Sequence, residues 1–126
     1  MKGTVIVVDD SEMIRNIISK ALVDEYNVVE ASDGRAAIEE VRKYKDTNLL
    51  CVLLDLRMPR YDGFVLLEYF KTYNLADKIP VFIISGDDAK ETIERAFTYN
   101  VVDMLTKPFS PEKIKEAVTR AINSKN

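Results

Sequence analysis

The sequence predicts an α/β fold built on a doubly wound parallel sheet. Strand and helix patterns alternate along the chain without a linker or a repeat, and this alternation favours parallel strands joined by helices. Three apolar runs, residues 5–8, 49–54 and 81–84, end abruptly at polar residues, as buried strands do where they meet water. Because 126 residues is an ordinary length for one domain, we expect a single domain over residues 1–126.

The first two strand and helix pairs are indicated by capping residues and apolar spacing. After the strand at residues 5–8, Ser11 can cap the first helix. Its buried face is predicted from residues spaced three and four apart: Ile14, Ile17, Ile18, Ala21 and Leu22. The second strand is predicted at Asn27–Ala31 and a turn at Asp33-Gly34. The second helix is predicted to bury Ala37, Ile38 and Val41.

The remaining three pairs follow the same order. Asp62 can cap a third helix, and the fourth strand begins near Pro80. A fourth helix is predicted at residues 88–99 and a fifth strand at residues 102–106. Ser110-Pro111-Glu112 is a strong start for the fifth helix. The apolar residues predicted to face inward are, in order, Phe64, Leu67, Phe70; Ala89, Ile93, Ala96, Phe97; Ile114, Ala117, Val118, Ala121 and Ile122.

Composition and charge exclude several classes of protein. Hydrophobic residues make up 47% and charged residues 31%, which is typical of a globular protein. The net charge is −3, and no block of Lys or Arg could neutralise a row of phosphates, so we expect no direct binding to nucleic acid. Asp9 ends the first apolar run too early for a signal peptide or a membrane span. We therefore expect a cytoplasmic protein without membrane association.

The chain contains no His and one Cys, Cys51. A His-containing catalytic triad, a zinc site of Cys and His ligands and an internal disulfide are therefore excluded. Cys51 lies inside an apolar strand, where a thiol usually behaves as a small buried hydrophobic group.

Polar residues follow four of the predicted strands: Asp9, Asp10, Asp55, Ser85 and Lys107. Each alone has an ordinary interpretation as a cap, a turn residue or a solvated charge, but in a parallel sheet all five gather at one edge. Carboxylates ~4 Å apart repel by on the order of 4 kcal/mol, which calls for a cation. Oxygen ligands with room for water and phosphate suit Mg²⁺, and Mn²⁺ can substitute.

A divalent ion beside a carboxylate, an ammonium and a hydroxyl is suited to phosphoryl transfer. Asp55 would be the nucleophile and form an aspartyl phosphate. Lys107 would pair with the Asp55 carboxylate or with phosphoryl oxygens, and Ser85 would donate a hydrogen bond to one of those oxygens.

Four segments carry a family resemblance: VVDDS at 7–11, LDLRMPRYDG at 54–63, ISG at 84–86 and LTKPF at 105–109. Together they resemble the receiver domain of two-component response regulators, over the whole chain. The resemblance implies a flavodoxin-like five-stranded sheet in the order 2-1-3-4-5 with five helices. It also implies a cis peptide bond before Pro108, which would help to direct Lys107 inward.

The resemblance further implies that Asp55 accepts a phosphoryl group from a histidine kinase or a phosphotransfer protein. Mg²⁺ would be held by Asp10, Asp55 and the backbone carbonyl of Arg57, and by Asp9 through water. The signal would pass to a downstream protein target or output domain through the surface of the fourth helix, fifth strand and fifth helix. A homodimer through that surface is left open. Such a module catalyses only its own phosphorylation and dephosphorylation and is not otherwise an enzyme.

Three positions bear on switching and on phosphoryl lifetime. The family usually has Tyr or Phe where this chain has Met104, so we expect Ser85 and the loop after it to carry the conformational response. Arg57 and Asp87 flank the path of attacking water in the family. A pair between them would lengthen the lifetime of the phosphoryl group; the alternative is two neighbouring surface charges worth at most about 1 kcal/mol.

Two other functions fit the pattern less well. A Mg²⁺-dependent phosphatase of the haloacid dehalogenase class also uses an Asp nucleophile, but it needs a second acid two residues later, where this chain has Arg57. A dinucleotide-binding Rossmann domain needs a Gly-rich turn after its first strand, where this chain has Asp9-Asp10-Ser11.

Overall fold

The computed structural model describes residues 2–56, 62–86 and 88–124. Across these residues strands and helices alternate strictly. The elements are β1 Thr4–Val8, α1 Glu12–Leu22, β2 Asn27–Ala31, α2 Gly34–Tyr44, β3 Leu49–Asp55, α3 Gly63–Thr72, β4 Val81–Ser85, α4 Lys90–Phe97, β5 Asp103–Thr106 and α5 Pro111–Asn123. The strands form one parallel sheet in the order β2-β1-β3-β4-β5. The predicted fold class and strand order are confirmed.

The register of the sheet aligns the carboxyl ends of its strands. Val8 of β1 lies opposite Leu54 of β3, and Asp55 lies opposite Ile84 of β4. Ser85, the last residue of β4, lies opposite Thr106 of β5. The residues that follow β1, β3, β4 and β5 therefore reach one edge of the sheet together, as the sequence predicted.

Two apolar cores cover the two faces of the sheet. Side chains point alternately to opposite faces of a strand, so Val52 and Leu54 belong to one core while Cys51 and Leu53 belong to the other. The first core packs under α2, α3 and α4, and the second packs under α1 and α5. Burial of each large aliphatic side chain stabilises the fold by about 1.5–3 kcal/mol.

Four of the five described helices begin at a side-chain cap. Ser11, Asp33, Asp62 and Ser110 each accept a hydrogen bond from a backbone N–H in the first turn, so Asp33, predicted as a turn residue, begins α2. Helix α4 spans Lys90–Phe97, two residues shorter at each end than predicted. Its N-cap is Ala89, which has no side-chain oxygen to extend the helix start. None of the described helices is both long and apolar enough to cross a membrane.

Three of the predicted inward-facing residues are exposed. Ile17 is 38% exposed and Phe97 is 43% exposed, and Ala89 precedes α4 at an exposed position. Each helical residue is rotated by about 100° from the one before it. Ile17 and Phe97 lie next to the buried Ile18 and Ala96 and fall outside the narrow stripe that meets the sheet. These three predictions were wrong.

Candidate functional site

Three carboxylates meet at the carboxyl edge of the sheet. Asp9 and Asp10 directly follow β1, and Asp55 is the last residue of β3. One oxygen from each lies within 4.8 Å of the others. Asp9 is fully buried and Asp55 is 4% exposed, whereas Asp10 is exposed. The structure thus brings together the three acids that the sequence predicted, two of them out of contact with bulk water.

Asp9 is fixed by hydrogen bonds on several sides. Its N–H donates to the carbonyl of Ala31 over 3.1 Å, which continues the pairing of β1 with β2. Its Oδ1 accepts from the N–H of Ser11 at 2.9 Å. Its Oδ2 is buried and has no hydrogen-bond partner within the described part of the chain. Burying a carboxylate oxygen costs free energy unless a charge compensates it, so this atom marks where a cation is needed.

Lys107 supplies part of that compensation. Its Nζ lies 3.4 Å from Asp9 Oδ2 and 3.7 Å from Asp55 Oδ2. The Lys107 N–H donates to the carbonyl of Ser85 over 2.7 Å, and the peptide bond to Pro108 is cis, as the resemblance implied. The expected pairing with Asp55 is present, and the closer contact, with Asp9, was not anticipated. One ammonium therefore bridges the two buried acids.

Ser85 and Met104 lie on neighbouring strands at or near this edge. Ser85 is 3% exposed at the end of β4. Met104, in β5 opposite Ile83, is half-buried and packs against the core under α3 and α4. The Arg57 and Asp87 predictions lie outside the described residues.

Gly63 lets α3 pack directly against the end of β3. Its N–H donates to the carbonyl of Leu56 over 3.2 Å. A Cβ at this position would lie 2.9 Å from the backbone oxygen of Asp55, closer than packed atoms allow. The first turn of α3, capped by Asp62, therefore supports the backbone that carries Asp55. Gly63 was not singled out from the sequence, although an Asp-Gly pair at a helix start signals such a close approach.

The acid cluster fits a magnesium ion. Three carboxylates and one ammonium, counted among the described side chains of the cluster, leave two negative charges, which one divalent cation balances. All the side-chain ligand atoms are oxygens, the ligands that Mg²⁺ prefers. Asp9 Oδ2 contacts Lys107 but accepts no hydrogen bond from the described residues, which is consistent with a cation or a bound water at this point.

An ion pair beside the acids was also missed from the sequence. Arg15 on α1 contacts Glu30 on β2, with 2.9 Å between Nε and Oε1, and its Nη1 donates to the carbonyl of Asp9 over 2.7 Å. The sequence feature that could have indicated this pair is Glu30, a charged residue in the strand segment between Val29 and Ala31.

Comparisons with known proteins agree with this geometry. The family model of the response regulator receiver domain matches residues 5–119. Response regulator RR06 of Streptococcus pneumoniae is 38% identical over 107 residues, which cover 84% of this chain and 46% of that protein. Chemotaxis protein CheY1 of Helicobacter pylori strain J99 is 32% identical over 113 residues, which cover 88% of this chain and 90% of that protein.

A solved structure gives the same result. The chemotaxis protein CheY4 of Vibrio cholerae aligns with a TM-score of 0.84 and 26% identity, over 96% of this chain and 99% of that one. The chain spans less than half the length of RR06 but most of the length of CheY1. With its sheet order, its edge of acids and Lys107, and these relatives, the chain belongs to the response regulator receiver domain family of two-component systems.

Proposed function

We propose that residues 1–126 form a single receiver domain that accepts a phosphoryl group on Asp55 with the help of Mg²⁺. The observation that carries the proposal is the meeting of Asp9, Asp10 and Asp55 within 4.8 Å of one another at one edge of the sheet, with the Lys107 ammonium in salt-bridge contact with Asp9 and Asp55. Phosphoryl transfer depends mostly on positioning and on neutralising charge, and this edge holds a carboxylate nucleophile beside a fixed ammonium.

In the proposed reaction an Asp55 carboxylate oxygen attacks phosphorus and forms a P–O bond. The bond from phosphorus to the imidazole nitrogen of a phosphohistidine breaks, and its electron pair leaves with the ring. The departing imidazole is neutral because its other ring nitrogen already carries a proton or because the released nitrogen takes one from solvent. Lys107, already near the Asp55 carboxylate, neutralises phosphoryl oxygens. The Ser85 hydroxyl donates to one of them.

Asp10, Asp55 and the backbone carbonyl of Arg57 would hold the metal, with Asp9 acting through water. When bound, Mg²⁺ neutralises negative charge on the phosphoryl oxygens, and Mn²⁺ can replace it. The buried Asp9 keeps its Oδ1 bond to Ser11 and its contact with Lys107. In this proposal Asp9 supports the site and Asp55 reacts.

The proposed donor is a histidine kinase or a phosphotransfer protein, in the cytoplasm. The proposed receiver of the signal is a downstream protein or an output domain, reached through the α4-β5-α5 surface, which could also form a homodimer. Receiver domains are typically signalling modules, and we propose no activity beyond self-phosphorylation and dephosphorylation, and no contact with nucleic acid or membrane.

Ser85 and the loop after it are proposed to carry the switch, with Met104 in place of the usual aromatic residue. Met104 packs against the same core as Ile93 and Tyr99, and its flexible thioether can repack without a large void. Phosphorylation should therefore shift amide resonances of α4 and β5. Unchanged resonances there would show that the signal leaves by another surface.

Arg57 and Asp87 are proposed to lengthen the lifetime of the phosphoryl group by restricting attacking water. Asp87→Ala should then lose phosphate faster than the wild-type protein, with Asp24→Ala, an exposed site at the far end of α1, as the control. Equal rates in all three proteins would remove this role.

Intact-mass spectrometry tests the function as a whole. The protein is incubated with acetyl phosphate and Mg²⁺, and the expected result is the gain of one phosphoryl group. Asp55→Asn and an excess of chelator should each abolish the gain. A gain that persists in Asp55→Asn would assign the acceptor to another residue and contradict the proposal.

A further inference from the structure

A network of three hydrogen bonds runs from α1 through β2 to the acid cluster, and its last bond, from Arg15 to Asp9, is partly buried. Ser19 Oγ donates to Glu30 Oε2 over 3.1 Å, and Arg15 Nε donates to Glu30 Oε1 over 2.9 Å. The Arg15 Nη1 then donates to the carbonyl oxygen of Asp9 over 2.7 Å. The Arg15 side chain is only 16% exposed. A charged donor such as the Arg15 guanidinium makes shorter and stronger hydrogen bonds than a neutral donor.

The hydrogen bond from Arg15 to the Asp9 carbonyl fixes the peptide group between Asp9 and Asp10. The N–H and the Oδ1 of Asp9 are already held by Ala31 and Ser11. The Asp9 carbonyl is held by Arg15, and its orientation sets the direction in which the next residue leaves. Asp10 is exposed, so core packing does little to orient it. The peptide plane held by Arg15 therefore governs where the Asp10 carboxylate lies relative to Asp9 and Asp55.

We propose that Arg15, held by Glu30 and Ser19, is a positioning residue for the divalent-cation site. This inference rests on the proposed function, because it assumes that Mg²⁺ binds at Asp9, Asp10 and Asp55. Arg15 would touch neither the metal nor the phosphoryl group. It acts by holding the backbone between two ligand residues, and loss of such outer contacts typically weakens metal binding about 10- to 100-fold.

Positioning and simple charge repulsion predict opposite effects of removing Arg15. Arg15→Met deletes a positive charge near the site, so repulsion alone predicts tighter Mg²⁺ binding. If Arg15 instead positions the backbone between Asp9 and Asp10, its loss should weaken Mg²⁺ binding by about tenfold or more. Arg15→Lys keeps the charge but lacks the planar fork that reaches Glu30 and the Asp9 carbonyl together. Repulsion alone predicts no change for Arg15→Lys, whereas positioning predicts binding between the wild-type protein and Arg15→Met.

The test is a Mg²⁺ titration of the unphosphorylated protein, followed by amide resonances of residues 9–11 and 55. Arg42→Met is the matched control. Arg42, like Arg15, is a helical Arg paired with a Glu, in this case over 3.8 Å, but both side chains of the Arg42 pair are more than 60% exposed. We expect wild-type affinity for Arg42→Met, an intermediate affinity for Arg15→Lys and the weakest binding for Arg15→Met. Equal or tighter binding by Arg15→Met would overturn the inference. Should Arg15→Met fail to fold, wild-type affinity in Arg15→Lys would overturn it.

A second readout separates positioning from a general loss of stability. With acetyl phosphate, Arg15→Met should need a higher Mg²⁺ concentration for half-maximal phosphorylation yet approach the wild-type rate at saturation. A lower unfolding temperature with an unchanged Mg²⁺ dissociation constant would reduce Arg15 to a structural role and overturn the inference. Failure of the wild-type protein to bind Mg²⁺ would instead count against the proposed function.

Discussion

Asp9 places a carboxylate where it has no contact with bulk solvent, close to the carboxylates of Asp10 and Asp55. The ammonium of Lys107 lies 3.4 Å from the Asp9 carboxylate, but it also lies 3.7 Å from the Asp55 carboxylate and neutralises part of that charge as well. With an effective dielectric near 20, the repulsion of the Asp9 carboxylate by those of Asp10 and Asp55, both within 4.8 Å, exceeds its attraction to Lys107 by about 2 kcal/mol. In the absence of a divalent cation the site therefore costs stability.

Asp9→Asn should raise the free energy of unfolding measured in urea with chelator present, by about 2 kcal/mol, because it removes this repulsion while the amide oxygen still accepts from Ser11. Mg²⁺ should stabilise the wild-type protein more than the variant. Leu53→Ala, in the apolar core under α1 and α5, serves as a control whose free energy of unfolding should fall by about 2–5 kcal/mol with or without Mg²⁺. A less stable Asp9→Asn in chelator would contradict the charge argument.

Lys107→Met removes a positive charge that bridges Asp9 and Asp55. Mg²⁺ should bind more tightly, because the cluster becomes more negative, while phosphorylation by acetyl phosphate should slow by at least about tenfold. Both are measured on the same protein, by titration and by intact mass. Lys113→Met, at an exposed position in the first turn of α5, should change neither. A normal rate in Lys107→Met would remove the lysine from the reaction.

The sequence placed each charged residue at its strand end and predicted that Lys107 pairs with Asp55, but it did not predict the contact of Lys107 with Asp9. Lys107 lies nearer to Asp9 than to Asp55, because partner choice depends on differences of a few tenths of an ångström between side chains. The Arg15 contact with the Asp9 carbonyl was invisible for a related reason. It joins a helix side chain to a backbone atom, and no residue pattern records how α1 lies against β1.

Elements position the site by how closely they approach one another. The N-terminus of α3 meets the end of β3 at Gly63, where any Cβ would lie 2.9 Å from the Asp55 carbonyl oxygen and 3.0 Å from the Cα of Leu56. Both neighbours are backbone atoms, one in the last residue of the central strand β3 and one in the residue that follows it, and neither can move aside cheaply. At Gly86, by contrast, the nearest atom that a Cβ would meet within the described residues belongs to the flexible side chain of Lys107, at 3.5 Å.

Gly63→Ala should therefore destabilise the protein by roughly 1–3 kcal/mol, since α3 must shift away from β3 to relieve the overlap. Gly86→Ala is the matched control and should change the free energy of unfolding by no more than about 0.5 kcal/mol. Urea unfolding of both variants compares them directly. Equal stability of the two would show that the α3 packing is looser than the geometry indicates.

In helix α4 the spacing of apolar residues predicts a wider buried face than the structure shows. Its apolar residues predicted a wide buried face, yet Ala96 is buried while Phe97 is 43% exposed. An apolar residue at the edge of a helix stripe satisfies the spacing rule whether or not a neighbouring element covers it. Helix starts were predicted better, because capping residues such as Ser11 and Ser110 act within their own turn.

For the whole molecule, the alternation of patterns predicted a parallel sheet and the gathering of strand ends at one edge. It did not determine the order β2-β1-β3-β4-β5, which only the family resemblance implied, because the same alternation suits other orders of parallel strands. Cys51 lies in β3, between β1 and β4, and is fully buried. Its environment depends on the integrity of the whole sheet.

Cys51 should therefore report global unfolding. Burial raises the pKa of its thiol to about 12, so the folded protein offers almost no thiolate at pH 8. Labelling by a disulfide reagent should be slow in native buffer, fast in denaturant, and limited by unfolding in between. Because the pKa is raised in the folded state, this thiol should also reduce stability as pH rises from about 9 towards 12. Rapid labelling of the native protein would contradict the buried position.

The position of the phosphoryl group decides whether Asp55 is the acceptor. After treatment with acetyl phosphate and Mg²⁺, borohydride reduces an aspartyl phosphate to homoserine while leaving free carboxylates intact. Tandem mass spectrometry of the proteolytic peptides that contain Asp9, Asp10 and Asp55 then reads which residue has become homoserine. We expect homoserine at residue 55, dependent on Mg²⁺ and absent from Asp55→Asn. Homoserine at residue 9 or 10, with residue 55 unchanged, would contradict this expectation.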